Sequence, residues 1–276
     1  FAAATIFGIP LSLYLTNLFR FNWHVPFIMI AAMGIAVIPF VIRYIPKMAG
    51  HINSQKPSSP FSSLITVCRI PQQRSALIFS CLLMIGHFLI IPFINPYVEF
   101  NKGFSKKLIP MIYLFGGIAS MIAAFVLGRF SDKAGKLPVF QWSVFFSLFM
   151  VLIVTSLPNV HFSIVILLFA IWFILATSRA MMAQAMVSEV VSSEQRGSFM
   201  SINGSIQQLG SGLAALLAGA IVVTKRSGEV LNYKYVGYLS IVVLIASMIL
   251  AQVVFKKIDK RRSKKKPLNG LIEETV

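Results

Sequence analysis

Residues 137–178 read LPVFQWSVFFSLFMVLIVTSLPNVHFSIVILLFAIWFILATS, a stretch without any Lys, Arg, Asp or Glu. An α-helix needs about 20 apolar residues to cross the hydrocarbon core of a bilayer, so this stretch is long enough for two crossings. The segment SLPNVH at 156–161 interrupts the apolar run with residues that are typical of a turn. We therefore predict two membrane helices here, joined by a short turn.

Uncharged runs of the same kind recur along the chain, at 75–98, 108–128, 197–224 and 235–255. Of the 276 residues, 57% are hydrophobic and 12% are charged, whereas charged residues make up about 25% of a soluble domain. These features predict an all-α integral membrane protein with eight transmembrane helices. The predicted spans are 1–17, 26–44, 76–98, 108–128, 137–157, 163–187, 198–224 and 235–255.

The formal net charge of +17 comes from basic residues that lie between the spans and in a C-terminal tail. This placement indicates topology signals and contacts with anionic lipid headgroups, and it argues against a nucleic-acid partner. One side of the membrane carries 17 Lys and Arg residues and the other carries 7. The richer side holds a proline-containing linker at 46–74 and the C-terminus, so both are predicted to be cytoplasmic.

The chain lacks the residue patterns of a metal site or a catalytic site. Cys68 and Cys81 have no metal-ligand or redox spacing. No Ser, His and Asp group within one loop and no phosphate-binding glycine loop is present. We predict no cofactor, no metal and no enzymatic activity.

Three predicted spans carry small residues at every fourth position, which allows helix backbones to approach closely inside a membrane. This pattern indicates either ordinary static packing or a close-packed surface between two halves that move against each other. Together with Pro10, a candidate kink in the first span, the residues assigned to this helix-packing interface are Gly8, Gly116, Ser120, Ala124, Ser211, Ala215 and Gly219.

Ionisable groups inside a membrane are costly and indicate function. All eight acidic residues lie at span ends, in loops or in the tail, while Arg179 lies within the sixth span. Arg179 could contact an anion or a substrate, or pair with a carboxylate as part of a gate. It could equally extend to the cytoplasmic interface or pair structurally with Glu189.

Four uncharged polar residues are further candidates to line a substrate cavity. His87 and Asn95 lie in the third span, and Gln207 and Gln208 lie in the seventh. A neutral histidine bonded to a neighbouring backbone, and interhelical hydrogen bonds for the glutamines, are the structural alternatives. Pro92 and Pro96 are expected to kink the third span near its outer end.

The loop after the fourth span reads GRFSDKAGK at 128–136. It resembles the G-x-x-(A/S)-D-(R/K)-x-G-(R/K) loop of the major facilitator superfamily, which lies there between helices 2 and 3 and between helices 8 and 9. The glycines allow a tight turn, and Asp132 suits a helix N-terminus. The residues carried over as a cytoplasmic gating loop are Gly128, Arg129, Asp132, Lys133, Gly135 and Lys136.

The resemblance implies a partial major facilitator fold in which the eight spans correspond to helices 5–12. Residues 1–45 would then hold the last two helices of the N-terminal six-helix half. A cytoplasmic linker at 46–74, the C-terminal six-helix half at 75–256 and a basic cytoplasmic tail at 257–276 would follow.

A finer resemblance is to the drug and sugar efflux branch of this family, carried by Gly8-Ile9-Pro10 and by Glu194-Gln195-Arg196-Gly197-Ser198. It implies an inner-membrane transporter that works by alternating access. The expected activity is efflux of a drug-like or sugar-like solute with protons as the coupling ion, and the partners are the lipid bilayer and that solute. An importer of the same fold and a non-transport polytopic membrane protein are the alternatives.

Overall fold

The computed structural model describes residues 4–19, 22–44, 67, 69–193 and 195–273. Most of the linker predicted at 46–74 lies outside these residues. The helices are α1 (Ile9–Leu18), α2 (His24–Tyr44), α3 (Pro71–Phe88), α4 (Ile91–Pro96), α5 (Ile109–Ala134), α6 (Lys136–Thr155), α7 (Phe162–Ser188), α8 (Arg196–Ile221) and α9 (Tyr233–Glu273). A π-helical turn precedes α1 (Ala4–Gly8), and another follows α4 (Tyr97–Asn101).

Six helical segments within the described residues are long and apolar enough to cross a membrane. They are His24–Tyr44, Pro71–Asn101, Ile109–Ala134, Lys136–Thr155, Phe162–Ser188 and Tyr233–Lys256. Two predicted spans fall outside this set. Helix α1 has 10 residues, and α8 has 26 but carries glycines, serines and the two glutamines, which lower its hydropathy.

Helices α3 to α9 pack as one bundle. Helix α7 packs against α5 and α6, while α9 packs against α3 and α6, and α8 packs against α3. At the centre, the Phe79 ring makes edge contacts with the rings of Phe140 and Phe255, at centroid distances of 5.3 and 5.1 Å. Since lipid tails are as apolar as leucine, such packing rather than the hydrophobic effect holds membrane helices together.

The outer surfaces of α6 and α9 are bulky and apolar. On α6 the exposed side chains are aromatic: Trp142, Phe145, Phe146 and Phe149. Helix α2 packs against α1, which in turn packs against α5, and none of the described side chains of α2 is buried.

The third predicted span is broken at Leu89 and Ile90, where α3 ends and α4 begins. Pro92 has no N–H to continue the helical hydrogen-bond ladder, which explains a break just before it. Helix α9 supplies hydroxyl groups to two carbonyl oxygens near the break: Tyr233 Oη donates to Ile90 O at 2.9 Å, and Ser240 Oγ donates to Gly86 O at 2.5 Å. The kink expected from the prolines is thus a defined break bonded to a neighbouring helix.

A short hairpin covers one end of the bundle. Strands β1 (Val223–Thr224) and β2 (Val230–Leu231) pair antiparallel between α8 and α9. The Asn101 side chain donates to Val230 O and accepts from Val230 N, both at 2.8 Å. We call this end, where Lys102 also bonds Asn159, the hairpin end, and the opposite one the junction end.

At the junction end, α5 and α6 meet almost without a loop. The sequence predicts a loop at 128–136, but α5 continues to Ala134 and α6 begins at Lys136. Gly135 alone is non-helical, with φ +91°, a conformation that glycine adopts without a steric penalty. The motif therefore forms about the last two turns of α5, a one-residue corner and the first residue of α6. Polar residues mark where a helix leaves the membrane rather than where it ends.

Two other boundaries differ from the predictions. Helix α3 begins at Pro71 rather than near residue 76, since proline is favoured in the first turn of a helix. Helix α9 continues to Glu273, so the backbone of most of the predicted tail at 257–276 is helical.

Candidate functional site

Arg179 lies inside the bundle on α7, with 2% of its surface exposed. Its Nη2 lies 2.7 Å from Nδ1 of His87 on α3. A guanidinium group can only donate hydrogen bonds, so Nδ1 must accept, and His87 is assigned as neutral with its proton on Nε2. The structural alternatives stay predictions: the Arg179 side chain is buried and bonds His87, and Glu189 forms an ion pair with Lys136.

Trp172 lies two turns before Arg179 on α7 and completes this group. Its ring stacks on the His87 imidazole, with centroids 5.5 Å apart and planes at 30°. The indole is buried, and its Nε1 has no hydrogen-bond partner within the described chain. We name His87, Trp172 and Arg179 the arginine cluster.

The arginine cluster presents hydrogen-bond donors and a positive charge. Arg179 Nη1 is also buried without a partner among the described residues. The indole nitrogen, the guanidinium and the assigned His87 tautomer all donate. Because donors and a positive charge attract negative groups, the site suits an anion better than a cation. No group of acidic, histidine or cysteine side chains in the described ranges could hold a metal ion.

Asn95 is connected to the arginine cluster through aromatic rings. Tyr113 on α5 donates from its hydroxyl to Asn95 Oδ1 at 2.6 Å. The Tyr113 ring makes an edge contact with Phe173 at 5.9 Å, and Phe173 contacts Trp172 at 5.3 Å. Helices α3, α4, α5 and α7 therefore bring Asn95 and the arginine cluster into one connected group.

The two glutamines lie elsewhere, on α8. Gln207 Nε2 donates to Gln184 Oε1 on α7 at 3.4 Å, which is a long hydrogen bond. Gln208 is exposed, and its Oε1 accepts from Ser211 at 3.3 Å. Neither makes a hydrogen bond to the arginine cluster in the part of the chain that the structure describes.

Sequence reasoning missed Asn203, Trp172 and Tyr113. Asn203 is 1% exposed, and both polar atoms of its amide lack partners within the described ranges. Aromatic residues in apolar helices are ordinary packing residues by type, so only the three-dimensional contacts single out Trp172 and Tyr113. Asn203 carries the same sequence signal as Asn95, a polar side chain in an uncharged run.

The predicted gating residues surround the α5–α6 corner at the junction end. Ser131 is buried and donates to Gly128 O at 2.7 Å, and Gly135 N donates to Ser131 O at 2.9 Å. Lys136 forms an ion pair with Glu189 at the end of α7. This pair joins the corner to the neighbouring helix end.

Three more gating residues lie on the last turns of α5. Arg129, Asp132 and Lys133 are all exposed there. Gly135 occupies the N-cap position of α6, so that cap has no side-chain hydrogen bond.

The small residues of α5 pack within the bundle. A methyl group at Gly116 would meet Phe173 Cδ2 of α7 at 2.5 Å. Ser120 is buried and donates to Gly117 O, while Ala124 is only half-buried. Gly116 thus packs against α7 rather than against another half of the protein.

The small residues of α1 and α8 have a different environment. A methyl group at Gly8 or Gly219 would meet nothing within 4 Å. Ala215 is exposed, and Ser211 and Pro10 are half-buried. The close approach of α8 to α3 instead occurs at Gly210, where a methyl group would lie 2.9 Å from Cys81 O, because the buried stripe of α8 is offset from the predicted one.

Comparison of the sequence with known proteins identifies a family. A family model described as "Major Facilitator Superfamily" matches residues 1–182 and 174–274. The chain is similar to "Uncharacterized MFS-type transporter YceJ" of Bacillus subtilis, with 22% identity over 95% of the chain and 64% of that protein.

Two further relatives carry transport names. The "Probable sugar efflux transporter" of Helicobacter acinonychis is 24% identical over 79% of the chain and 57% of that protein. The "Putative transporter AraJ" of Escherichia coli is 28% identical over 49% of the chain and 33% of that protein. The chain therefore spans between a third and two thirds of the length of these relatives.

Proposed function

Because this chain belongs to the major facilitator superfamily, we propose that the protein is a secondary active transporter that exports a small solute by alternating access. The solute is drug-like or sugar-like, and protons are the coupling ion. The efflux direction is supported by the name of one relative, a probable sugar efflux transporter.

One observation carries this proposal: a buried arginine within a helix that can cross a membrane. Placing Arg at the centre of a membrane helix costs about 2.5–3.5 kcal/mol on insertion scales. Arg179 lies inside such a helix, about two-thirds of the way from Phe162 to Ser188, with His87 as its neutral partner. A charge of this kind, inside a bundle and next to further unpartnered donors, is typical of a solute pathway.

The helices are assigned to the family's two halves as follows. Helices α1 and α2 correspond to helices 5 and 6 of the family. The α3–α4 segment, which contains the break, corresponds to family helix 7. Helices α5–α9 correspond to family helices 8–12. The faces of α1 and α8 that carry Gly8 and Gly219 would pack against further helices of the whole protein. The solute would lie between the two halves near the bilayer midplane, in contact with His87, Asn95 and Arg179.

The α5–α6 corner is the proposed cytoplasmic gate, in an inner membrane with the C-terminus on the cytoplasmic side. Its Lys136–Glu189 pair joins α5, α6 and the end of α7. Asp132, exposed on the last turn of α5, would contact the other half when the cytoplasmic side is closed. The polar corner would then exchange partners as the halves move.

The test uses the full-length protein in everted membrane vesicles that hold a proton gradient reported by a quenched amine dye. Lactose, ethidium and gluconate serve as a neutral, a cationic and an anionic probe. Proton-coupled efflux predicts that at least one probe dissipates the gradient, and that Asp132→Asn abolishes the effect while the protein still inserts. Full activity of Asp132→Asn contradicts the gate, and no response to any probe contradicts proton-coupled export.

Import is separated from export by counterflow. Vesicles of both orientations are loaded with the active probe, and exchange of the labelled solute is followed. A protein that accumulates solute only in the import direction would be an importer of the same fold.

A further inference from the structure

We propose that the arginine cluster binds an anionic group, a carboxylate or a phosphate, of the transported solute. This inference rests on the proposed transport function and adds the chemical class of the substrate. It concerns His87, Trp172 and Arg179, which lie together between α3 and α7.

The first argument is the charge balance of the bundle. All eight acidic residues of the sequence lie outside the middle of the apolar spans. The neighbour that Arg179 contacts is a histidine whose Nδ1 accepts its hydrogen bond, and this leaves the positive charge without a counter-ion in the described bundle. A buried charge without a partner is strongly unfavourable, so an anion that enters here is favoured.

The second argument is the set of hydrogen-bonding atoms. Arg179 Nη1 and Trp172 Nε1 are buried donors without partners in the described ranges. Nδ1 of His87 is occupied by Arg179, which leaves Nε2–H as a third donor in the assigned tautomer. The cluster therefore presents donors alone, the arrangement that carboxylate and phosphate oxygens require.

The third argument is access. Arg179 and Trp172 are 2% exposed, whereas His87 is partly exposed. An anion would enter from the side of His87 and reach the guanidinium when α3 and α7 separate. The break at Leu89–Ile90, directly after α3, is a place where such a movement can be accommodated.

Two sources could supply the anionic group. One is the solute, to which we commit. The other is a carboxylate elsewhere in the full-length protein. A solute anion would bind in proportion to its concentration, while a permanent protein carboxylate would occupy the site and exclude added anions.

Thermal unfolding of the purified full-length protein tests the proposal, with gluconate and inorganic phosphate as anionic probes. Sorbitol is the neutral counterpart of gluconate, and chloride matches the ionic strength. We expect gluconate or phosphate to raise the unfolding temperature of the wild type, and sorbitol to leave it unchanged. Arg179→Gln should raise the apparent Kd by about tenfold or more, the loss of a charge-assisted hydrogen bond.

Three further variants complete the experiment. Lys107→Gln removes an exposed charge from the hairpin end and should keep the full anion response. Arg179→Lys keeps the charge but loses the two-pronged donor, so its response should be intermediate. Trp172→Phe removes the indole N–H together with part of the buried ring and should weaken binding several-fold, which tests the cluster even where Arg179→Gln does not fold.

Several outcomes overturn the proposal. An undiminished anion response in Arg179→Gln would place binding on the basic tail or another surface. No response of the wild type to either anion would indicate that Arg179 pairs with a carboxylate of the full-length protein. Flux of a neutral solute that Arg179→Gln leaves intact would refute the anionic substrate but not transport, whereas anion binding without any flux would refute transport but not the anion site.

Discussion

Gly210 is the position where α8 comes closest to α3, and replacing it with alanine should loosen this contact. A methyl group there would lie 2.9 Å from Cys81 O, and 3.3 Å from both Cys81 Sγ and Met84 Cβ. The nearest atom belongs to the backbone of α3, so it cannot be relieved by a change of side-chain rotamer. The two helices must move apart or the backbone must distort.

The size of the effect follows from two opposing terms. An extra methyl group in a well-packed interior costs about 1–3 kcal/mol. Alanine is favoured over glycine within a helix by about 0.8–1.0 kcal/mol. We expect Gly210→Ala to reduce the free energy of unfolding by about 0–2 kcal/mol after both terms are combined.

Gly212 is the matched control, two residues further along the same helix. A methyl group at Gly212 meets nothing within 4 Å, so Gly212→Ala should be neutral or slightly stabilising. Because the helix-propensity term is common to both variants, the difference between them isolates the steric cost. For a chain of this size that difference corresponds to several degrees in the unfolding temperature.

The assay is thermal unfolding of the full-length protein in detergent, combined with maleimide labelling of Cys81. This thiol lies at the contact and is half-buried, so a displaced α8 should speed its labelling in a background without other cysteines. Equal unfolding temperatures for the two variants, or slower labelling in Gly210→Ala, would refute the packing described for α3 and α8.

Two further predictions concern the ends of the bundle. Tyr233→Phe removes the hydroxyl that bonds Ile90 O at the α3–α4 break. The Ile90 carbonyl keeps its hydrogen bond from Phe93 N at 3.3 Å, so losing the hydroxyl bond should cost about 0.5–1.5 kcal/mol, measured as a lower unfolding temperature; an unchanged temperature would contradict the role of α9 at the break. Lys136→Glu should destabilise the α5–α6 corner by about 1 kcal/mol or less, because the Lys136–Glu189 pair is partly exposed. Adding Glu189→Lys should recover part of the lost stability. A double variant that is less stable than either single variant would contradict the pairing.

The sequence was sufficient to predict the all-α membrane fold, because charge-free runs of a given length have few alternatives. It placed six spans that the structure also has. Two predicted spans, α1 and α8, are not among those six. Helix α1 is short, and α8 carries glycines and glutamines. Pro92 predicted a distortion of the third span, whereas the hydroxyl bonds from α9 to Ile90 O and Gly86 O could not be deduced, since Tyr233 and Ser240 are distant in sequence.

The candidate site was predicted in part. Arg179 stood out because a charge in an apolar run is costly. Its partner could not be deduced, since His87 is 92 residues away in sequence. The loop motif was recognised, but its helical form was not, because a motif specifies residue types and not where a helix ends.

The small-residue stripes illustrate a third limit. Spacing by four identified α8 as a close-packing helix. Which face packs depends on its neighbours, and the buried stripe runs through Gly210, Ala214 and Ala218 rather than through Ser211 and Gly219. The predicted stripe stays a proposal for contacts in the whole protein.

Solute-dependent proton movement in everted vesicles that contain the full-length protein is the decisive measurement for proton-coupled export. We expect a solute to dissipate an imposed proton gradient in the wild type, and Asp132→Asn to abolish the response at equal membrane insertion. A full response in Asp132→Asn, or none to any probe in the wild type, would contradict a proton-coupled exporter gated at the α5–α6 corner.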